Sequence, residues 1–282
     1  MRVAVVGRPS DGNLGLVEGW RALGIPAEML VPDAAADELA AGDVAVNRLD
    51  VLPSLDGVEP GLAAIQELGR RGVRVLNKRR ALLAAHDKLR TAYALGRVGL
   101  PHPRTAHVLR PEPPEAPLPP VVVKPRYGSW GQDVWRCEDA EALARQLGEA
   151  SSRRWFRHHG ALVQELVPPL GWDVRLVVAD GRVVGSANRH ARRGDWRTNV
   201  SLGGSIDAAA PLPEAVGLAL DAAAAVGSDL VGVDLLPLPE GGFTILELNA
   251  AVDFDGRYAL AGSDVYADVA DALGLLELAR AA

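Results

Sequence analysis

Several functional classes are closed off by what this sequence has little of. It holds one cysteine, Cys137, so an internal disulfide is excluded. A lone thiol without an evident partner fits a structural role and a reducing cytosol. Aromatic residues make up 5% of the chain, which leaves aliphatic side chains to build the core. Basic residues are not in excess. Against 36 Asp and Glu stand 30 Lys and Arg, a net charge of −6, and a general nucleic-acid binder would normally show the opposite balance. No apolar run approaches the roughly twenty residues needed to span a bilayer. The opening Met1-Arg-Val-Ala-Val-Val-Gly7 enters a strand at once, without the apolar run and cleavage site of a signal peptide. The glycines that follow lack dinucleotide-binding spacing, and no acidic residue closes the second strand, so a NAD-type site is not expected. What is present is ample: 282 residues, 48% of them hydrophobic, enough for two or three lobes.

Along the chain, residues 3–6, 28–31, 44–47 and 73–76 read as buried strands. Helical segments at 16–23 and 62–71 alternate with them, and residues 7–15 read as a loop. Such alternation predicts an α/β layer with a parallel sheet. Residues 80–98 read as one long helix carrying Asp87-Lys88, broken by Gly99-Leu-Pro-His-Pro103. Residues 110–120 contain six prolines and read as a stiff exposed connector. A second lobe begins at Val121, with a helix over 140–150 and a strand over 162–167. Strands at 173–178 and 182–187 flank Asp180-Gly181, a hairpin dipeptide. A helix over 213–226 precedes the strand pair 231–236 and 243–249, and a single helix over 265–280 closes the chain. There is no internal repeat.

The strongest chemical signal lies in that last strand pair. Asp234 sits in one strand, and Glu247 and Asn249 in the next. Residues two apart share a face. A hairpin turning at Glu240-Gly241 sets Asp234 directly opposite Glu247, so three oxygen-bearing groups converge. Two buried anions side by side are costly without a neutralising cation, and hard oxygen donors favour Mg²⁺. The plain alternative is a pair of carboxylates at strand ends.

The second signal is Lys124, delivered by a strand and followed by Gly128-Ser129-Trp130-Gly131. Glycines let backbone N–H groups wrap phosphate oxygens, and the lysine supplies a point charge. The spacing is not that of a Walker loop. Gln164, Glu165, Leu166 and Val167 end a strand shortly before Asp173, and backbone groups at such a hinge can pair with an adenine edge. The run from Arg189 to Asn199 is densely cationic and fits either a solvated loop or an anion pocket. Residues 153–159 are also basic but read as a solvated face.

This order of motifs resembles the ATP-grasp superfamily, and within it the RimK-type carboxylate–amine ligases. Asn47-Arg48-Leu49-Asp50 and Val75-Leu76-Asn77 are similar to that branch's N-terminal lobe. Gly171-Trp-Asp173-Val-Arg175 and Gly194-Asp-Trp-Arg-Thr-Asn199 with Gly203-Gly204 are its most specific pieces. The resemblance implies a three-lobed α/β fold in which an N-terminal parallel layer (residues 1–85) precedes two lobes (86–165 and 166–282) that clasp ATP. It implies nucleotide contacts from Lys88, Lys124, Gly128 to Gly131, Gln164, Glu165, Leu166, Val167, Asp173, Arg197, Thr198 and Asn199. It assigns Asp234, Glu247 and Asn249 to two Mg²⁺ ions, with Mn²⁺ an acceptable substitute. Arg189, Arg197 and Asn199 become the catalytic cations and amide that steady an acylphosphate. The implied partners are a carboxylate substrate (a small molecule, a peptide or an acidic carrier protein) and an amino-acid co-substrate, with no nucleic acid and no membrane, in a dimer or tetramer of the cytoplasm.

One segment departs from the branch. RimK-type chains continue after the metal Asn with a small residue and Ser-Pro-Gly, whereas here Asn249 precedes Ala-Ala-Val-Asp253-Phe254-Asp255. That acidic–aromatic pair resembles the LysX group, which acts on a small acidic carrier protein. Asp253 or Asp255 then becomes a candidate for the ammonium of an incoming amino acid, with a rim loop as the plain alternative. A nucleotide-binding module without ligase activity is the reading from another class.

Overall fold

The computed structural model describes residues 1–281. Its first unit runs β1 Val3–Val6, α1 Asp11–Ala22, β2 Ala27–Leu30, α2 Pro32–Glu38, β3 Val44–Asn47, α3 Leu62–Arg70 and β4 Arg74–Leu76. The strands pair in parallel in the order β2-β1-β3-β4. Helices cover both faces of such a sheet, which is why β1 and β3 are apolar along nearly their whole length and fully buried.

Helix α1 starts five residues earlier than the glycines suggest. Ser10 caps it by accepting the Asn13 N–H, which satisfies one orphan donor of the first turn. The glycines are a packing requirement: a Cβ on Gly12 would lie 1.9 Å from Asp253 Oδ1, and one on Gly19 2.7 Å from the Tyr266 ring. Close approach of two elements here outweighs helix propensity.

The expected helix over 80–98 is two helices, α4 Arg79–His86 and α5 Lys88–Arg97. Asp87 divides them because its carboxylate accepts the Leu89 and Arg90 N–H groups as a cap. The same buried carboxylate takes a fork from Arg126 at 2.7 and 2.6 Å, which fixes the start of α5 and therefore Lys88.

The second sheet contains β5 Thr105–Val108, β6 Val121–Pro125, β7 Trp135–Cys137 and β8 Ala161–Glu165, with α6 Ala140–Ala150 and α7 Arg154–His159 before the last strand. Its order is β5-β8-β6-β7, all antiparallel. β5, β7 and α7 are too short to show a period in the sequence. In α7 the arginines are exposed as expected, but Trp155 and Phe156 fill the lobe's core. Val51 and Leu55, from the loop after β3, enter that core too.

The third sheet is β11-β10-β9-β12-β13, built from β9 Trp172–Ala179, β10 Arg182–His190, β11 Ser205–Ala208, β12 Leu230–Pro237 and β13 Phe243–Asn249. Helix α8 Pro213–Val226 packs on it, and α5 packs against α8 and β13. The expected closing helix is again two, α9 Val265–Ala272 and α10 Leu275–Ala281, separated at Gly274, whose φ of +68° ends a right-handed helix.

Asn77 fastens the first sheet to the third. It is fully buried and holds φ +54°, a left-handed conformation that asparagine tolerates better than most residues. Its Oδ1 accepts the N–H groups of Asp229 and Leu230 at 2.9 and 3.1 Å, and its Nδ2 donates to Leu230 O at 2.7 Å. Truncation leaves buried backbone groups unpaired, each worth about 1–3 kcal/mol. Asn77→Ala is expected to destabilise the protein by about 3 kcal/mol in denaturant titration.

Candidate functional site

The site is organised by a row of charged side chains across one face of the third sheet. Asp173 on β9 lies directly opposite Arg189 on β10. Arg175, two residues on and therefore on the same face, lies opposite Asp234 on β12. Asp234 in turn lies opposite Glu247 on β13. The last pairing is the one expected, reached by a different turn. The hairpin closes at Leu238 and Gly242, around Pro239, Glu240 and Gly241, which displaces the register by one. A bulge at Leu246 then restores it.

Hydrogen bonds lock this row. Arg175 Nε and Nη2 donate to the two Asp234 oxygens at 2.7 and 2.8 Å. Arg189 grips Asp173 at 2.7 and 2.5 Å and also donates to Asp234 Oδ2 at 2.7 Å. Thr198 Oγ1 donates to Asp173 Oδ2 at 2.5 Å. Burial alone would raise the Asp234 carboxyl, but Arg175 and Arg189 outweigh it and hold it well below the usual carboxylate range. Asp234 is 1% exposed and lines neither large cavity. Arg189, expected as a loop cation, is the buried penultimate residue of β10.

Glu247 and Asn249 do face open space. Glu247 accepts from Lys88 Nζ at 2.8 Å. Burial would raise its pKa and Asp234 opposes ionisation too, yet Lys88 and Lys124 together draw it down. Lys88 also donates to Gly128 O at 2.8 Å, linking β13 to the glycine loop. Lys124, 5% exposed, donates to Gln164 Oε1 at 2.7 Å. Burial first, then repulsion from Lys88, pushes its ammonium pKa down to about 8.

The glycine loop is clasped from three sides. Arg197 Nη1 donates to Gly131 O and Ser201 Oγ to Trp130 O, both at 3.0 Å. The Arg8 guanidinium lies 5.8 Å from the centre of the Trp130 ring. Gly131 has φ +67°, and a Cβ there would meet Asn199 Oδ1 at 2.6 Å, so only glycine fits. Arg197 is itself paired with Asp195 at 2.9 Å.

Two cavities adjoin at this point. One is lined by all the residues expected at a nucleotide: Lys88, Lys124, Gly128, Ser129, Trp130, Gly131, Gln164, Glu165, Leu166, Val167, Asp173, Arg197, Thr198 and Asn199. The other, of about 490 Å³, is lined by Asn249, Asp253 and Asp255 with residues of the first unit. Lys88, Gly128 to Trp130, Arg189, Asn199 and Glu247 line both. The fit to a nucleotide rests on Ser129 as well: its Oγ is buried without a hydrogen-bond partner among the described residues, as suits a donor to a phosphate oxygen. At the hinge, Glu165 and Leu166 already donate their N–H groups to Arg104 O and Pro120 O at 2.8 and 3.2 Å.

Several lining residues were not foreseen. Leu236 and Leu246 supply apolar wall to the nucleotide-type cavity. Leu236 shares a face with Asp234 by the strand period and was legible, whereas Leu246 depends on the bulge. His86 lines the second cavity; burial, then Lys88, lowers its pKa to about 4, so it is neutral near pH 7. Arg175 lies two residues after Asp173, and the strand period was the signal for it.

Known proteins of similar sequence and fold share the architecture. Residues 85–273 match a RimK-like ATP-grasp domain. The chain is 32% identical over 213 residues to a tetrahydromethanopterin:alpha-L-glutamate ligase of Methanosarcina acetivorans, covering 70% of this chain and 66% of that protein. It is 31% identical over 229 residues to a ribosomal protein bS6–L-glutamate ligase of Shigella boydii, covering 76% of this chain and 75% of the relative. The structure of the ATP-grasp ligase PsnB with a minimal precursor superposes with a TM-score of 0.69 over 98% of this chain and 99% of that one, at 22% identity.

The ion row carries a consequence for mutagenesis. Removing one partner of a buried pair leaves uncompensated charge worth about 3–5 kcal/mol. Asp234→Ala strands the Arg175 guanidinium and removes one of the acceptors of Arg189, so it is expected to lower stability by about that amount in chemical denaturation. A loss of activity in that variant therefore reports on folding as much as on the site.

Proposed function

The chain belongs to the RimK-like ATP-grasp family and is an ATP-dependent ligase that forms C–N bonds, and we propose that it joins an amino acid to a carboxylate of a peptide, carrier protein or small metabolite through an acylphosphate. The observation that carries this reading is the junction of the two cavities. Lys88, the glycine loop, Arg189, Asn199 and Glu247 stand where a nucleotide on one side and a carboxylate on the other would meet.

In this reading the carboxylate oxygen attacks the γ-phosphorus of ATP and ADP departs. The amine nitrogen then attacks the acyl carbon, the amide forms, and phosphate leaves with the proton balance completed by solvent. Lys124, in its charged form below pH 8, pairs with phosphate oxygens. Ser129 Oγ and the backbone of Gly128 to Gly131 close over them. Lys88, tied to both Glu247 and Gly128, couples closure of the loop to the position of β13. Arg189 presents a guanidinium whose tilt is set by Asp173 and Asp234, so it needs no reorganisation as charge develops. Glu247 and Asn249, neighbouring oxygen donors open to the cavity, would hold Mg²⁺, and Asp234, whose oxygens accept from Arg175 and Arg189 here, would be the third donor of the set. A bound ion would supply charge neutralisation for the phosphates. The two-ion arrangement rests on the family resemblance and on this donor set.

Two measurements test the reading. The first is ADP release with Mg²⁺-ATP, using hydroxylamine as a generic amine and a panel of free glutamate, peptides ending in glutamate, and an acidic carrier protein. Hydroxamate is expected with one donor, and Glu247→Gln is expected to lower the rate by at least about 100-fold with the melting temperature retained. No ADP with any donor would count against the ligase site. The second measurement concerns Lys124. Its folded pKa of about 8 lies below the ordinary lysine value of about 10.4. The charge that meets phosphate is present below pH 8 and lost as pH rises through it. Affinity for a non-hydrolysable ATP analogue is expected to fall above pH 8 by up to about tenfold per pH unit, and Lys124→Ala is expected to flatten the profile.

A further inference from the structure

The larger cavity is polarised once its ion pairs are assigned. On the wall shared with the nucleotide-type cavity, Lys88 is matched by Glu247 at 2.8 Å, and Arg175 and Arg189 by Asp234 at 2.7 Å each. On the wall supplied by the first unit and residues 253–255, Asp255 is matched by Arg257 at 2.6 Å. Three further aspartates stand there: the exposed Asp11, which has no ion-pair partner among the described residues, and Asp50 and Asp253, which have no cation closer than 3.8 Å among them. Asp50 lies 3.8 Å from Arg8, which is engaged with Glu59 at 3.0 Å. Asp253 lies 3.8 Å from Arg48, whose Nη2 is spent on Val252 O at 2.6 Å and whose Nε is spent on Asn13 Oδ1 at 2.5 Å. Burial raises the pKa of Asp50 in spite of these arginines, whereas the Asp253 carboxylate is 65% exposed and open to a ligand.

A second observation marks the same recess. Arg48 is 1% exposed, yet its Nη1 has no hydrogen-bond partner among the described residues. It lines a small pocket with Arg8, Asp50, Trp130 and Asp253, and Asp50, Trp130 and Asp253 also line the large cavity. A buried guanidinium N–H without an acceptor is costly. A recess that offers one orphan donor and two under-compensated carboxylates matches a molecule carrying a carboxylate and an excess of ammonium groups.

We propose that Asp253, with Asp50 beside it, selects a basic amino acid as the amine co-substrate in preference to glutamate, the α-carboxylate turning toward Arg48. This rests on the ligase reading of the same site. It also separates the two aspartates left open by the sequence: Asp255 is closed on Arg257, and Asp253 faces the cavity. Glutamate would bring a second carboxylate to a wall that already carries uncompensated negative charge. The geometry depends on Gly12, since the Asp253 carboxylate lies where a Cβ at that position would stand.

The test compares L-lysine with L-glutamate in two readouts on the full chain. In the first, with a donor that yields hydroxamate, kcat/KM for lysine is expected to exceed that for glutamate by about tenfold or more, the scale of one hydrogen bond to a charged group. Asp253→Asn is expected to reduce that ratio by about tenfold, and Asp253→Lys to invert it. Gly12→Ala, which displaces the carboxylate without altering charge, is expected to move the ratio the same way as Asp253→Asn. In the second, calorimetric binding of each amino acid to the protein loaded with a non-hydrolysable ATP analogue and Mg²⁺ is expected to show the same preference. That readout stands even if no donor supports turnover, so a failed ligase reading and a failed selectivity reading are distinguished. Glutamate used or bound as well as lysine, or a ratio unmoved by the Asp253 and Gly12 variants, would overturn the proposal.

Discussion

The site depends on the alternation of charge across the face of the third sheet. Arg189, Asp173, Arg175 and Asp234 come from three adjacent strands, and each is held by its cross-strand neighbour, while Glu247, opposite Asp234 on the fourth, is held by Lys88. Such a row is not a source of net stability, because desolvation of buried ions consumes much of their attraction. Its value is geometric. Two forks and a shared oxygen leave the guanidinium groups one orientation each. Everything at the cavity junction is referred to this row: Glu247 holds Lys88, Lys88 holds Gly128, and Thr198 is held by Asp173.

The lobes around the row are joined by contacts of different character. Asn77 ties the first sheet to the third through hydrogen bonds to backbone, a connection that does not slide. The loop after β3 reaches the second sheet instead, placing Val51 and Leu55 in its hydrophobic core. Asp50, next to Val51, therefore stands at the seam between the lobes. The glycine loop is bound to the third sheet's side by Arg197 and Ser201, to the start of α5 by Lys88, and to the first unit by Arg8 over Trp130. Those contacts are few and polar, which is the kind that opens at low cost.

Much of the architecture was legible because local rules acted alone. The central parallel strands β1 and β3 showed as apolar runs, and the Asp180-Gly181 turn and the helices over 140–150 and 213–226 follow from turn chemistry and period. What was misread involves a side chain answering to a distant partner. Asp87 splits a helix as a cap held by Arg126. The glycines of α1 look like a loop until Asp253 and Tyr266 are seen to need the space. The basic run over 189–199 looks uniform, yet Arg189 is buried in an ion pair, Arg197 closes on Asp195 and Gly131, and Arg192 and Arg193 are exposed.

The sequence by itself determined the family and picked out many of the groups that line the two cavities. Residue type and period along a strand are local, so Glu247, Asn249, Lys124 and the glycine loop can be picked out in one dimension. Only the tertiary structure decided how those groups are committed. Asp234 was legible as a carboxylate opposite Glu247, but its capture by Arg175 and Arg189 needs the strand order β10-β9-β12, which no local period encodes. The register itself came from a bulge that cancels a longer turn. Asp253 and Asp255 are alike in the sequence; a neighbouring Arg257 closes one, and the first turn of α1, more than two hundred residues away in the chain, positions the other.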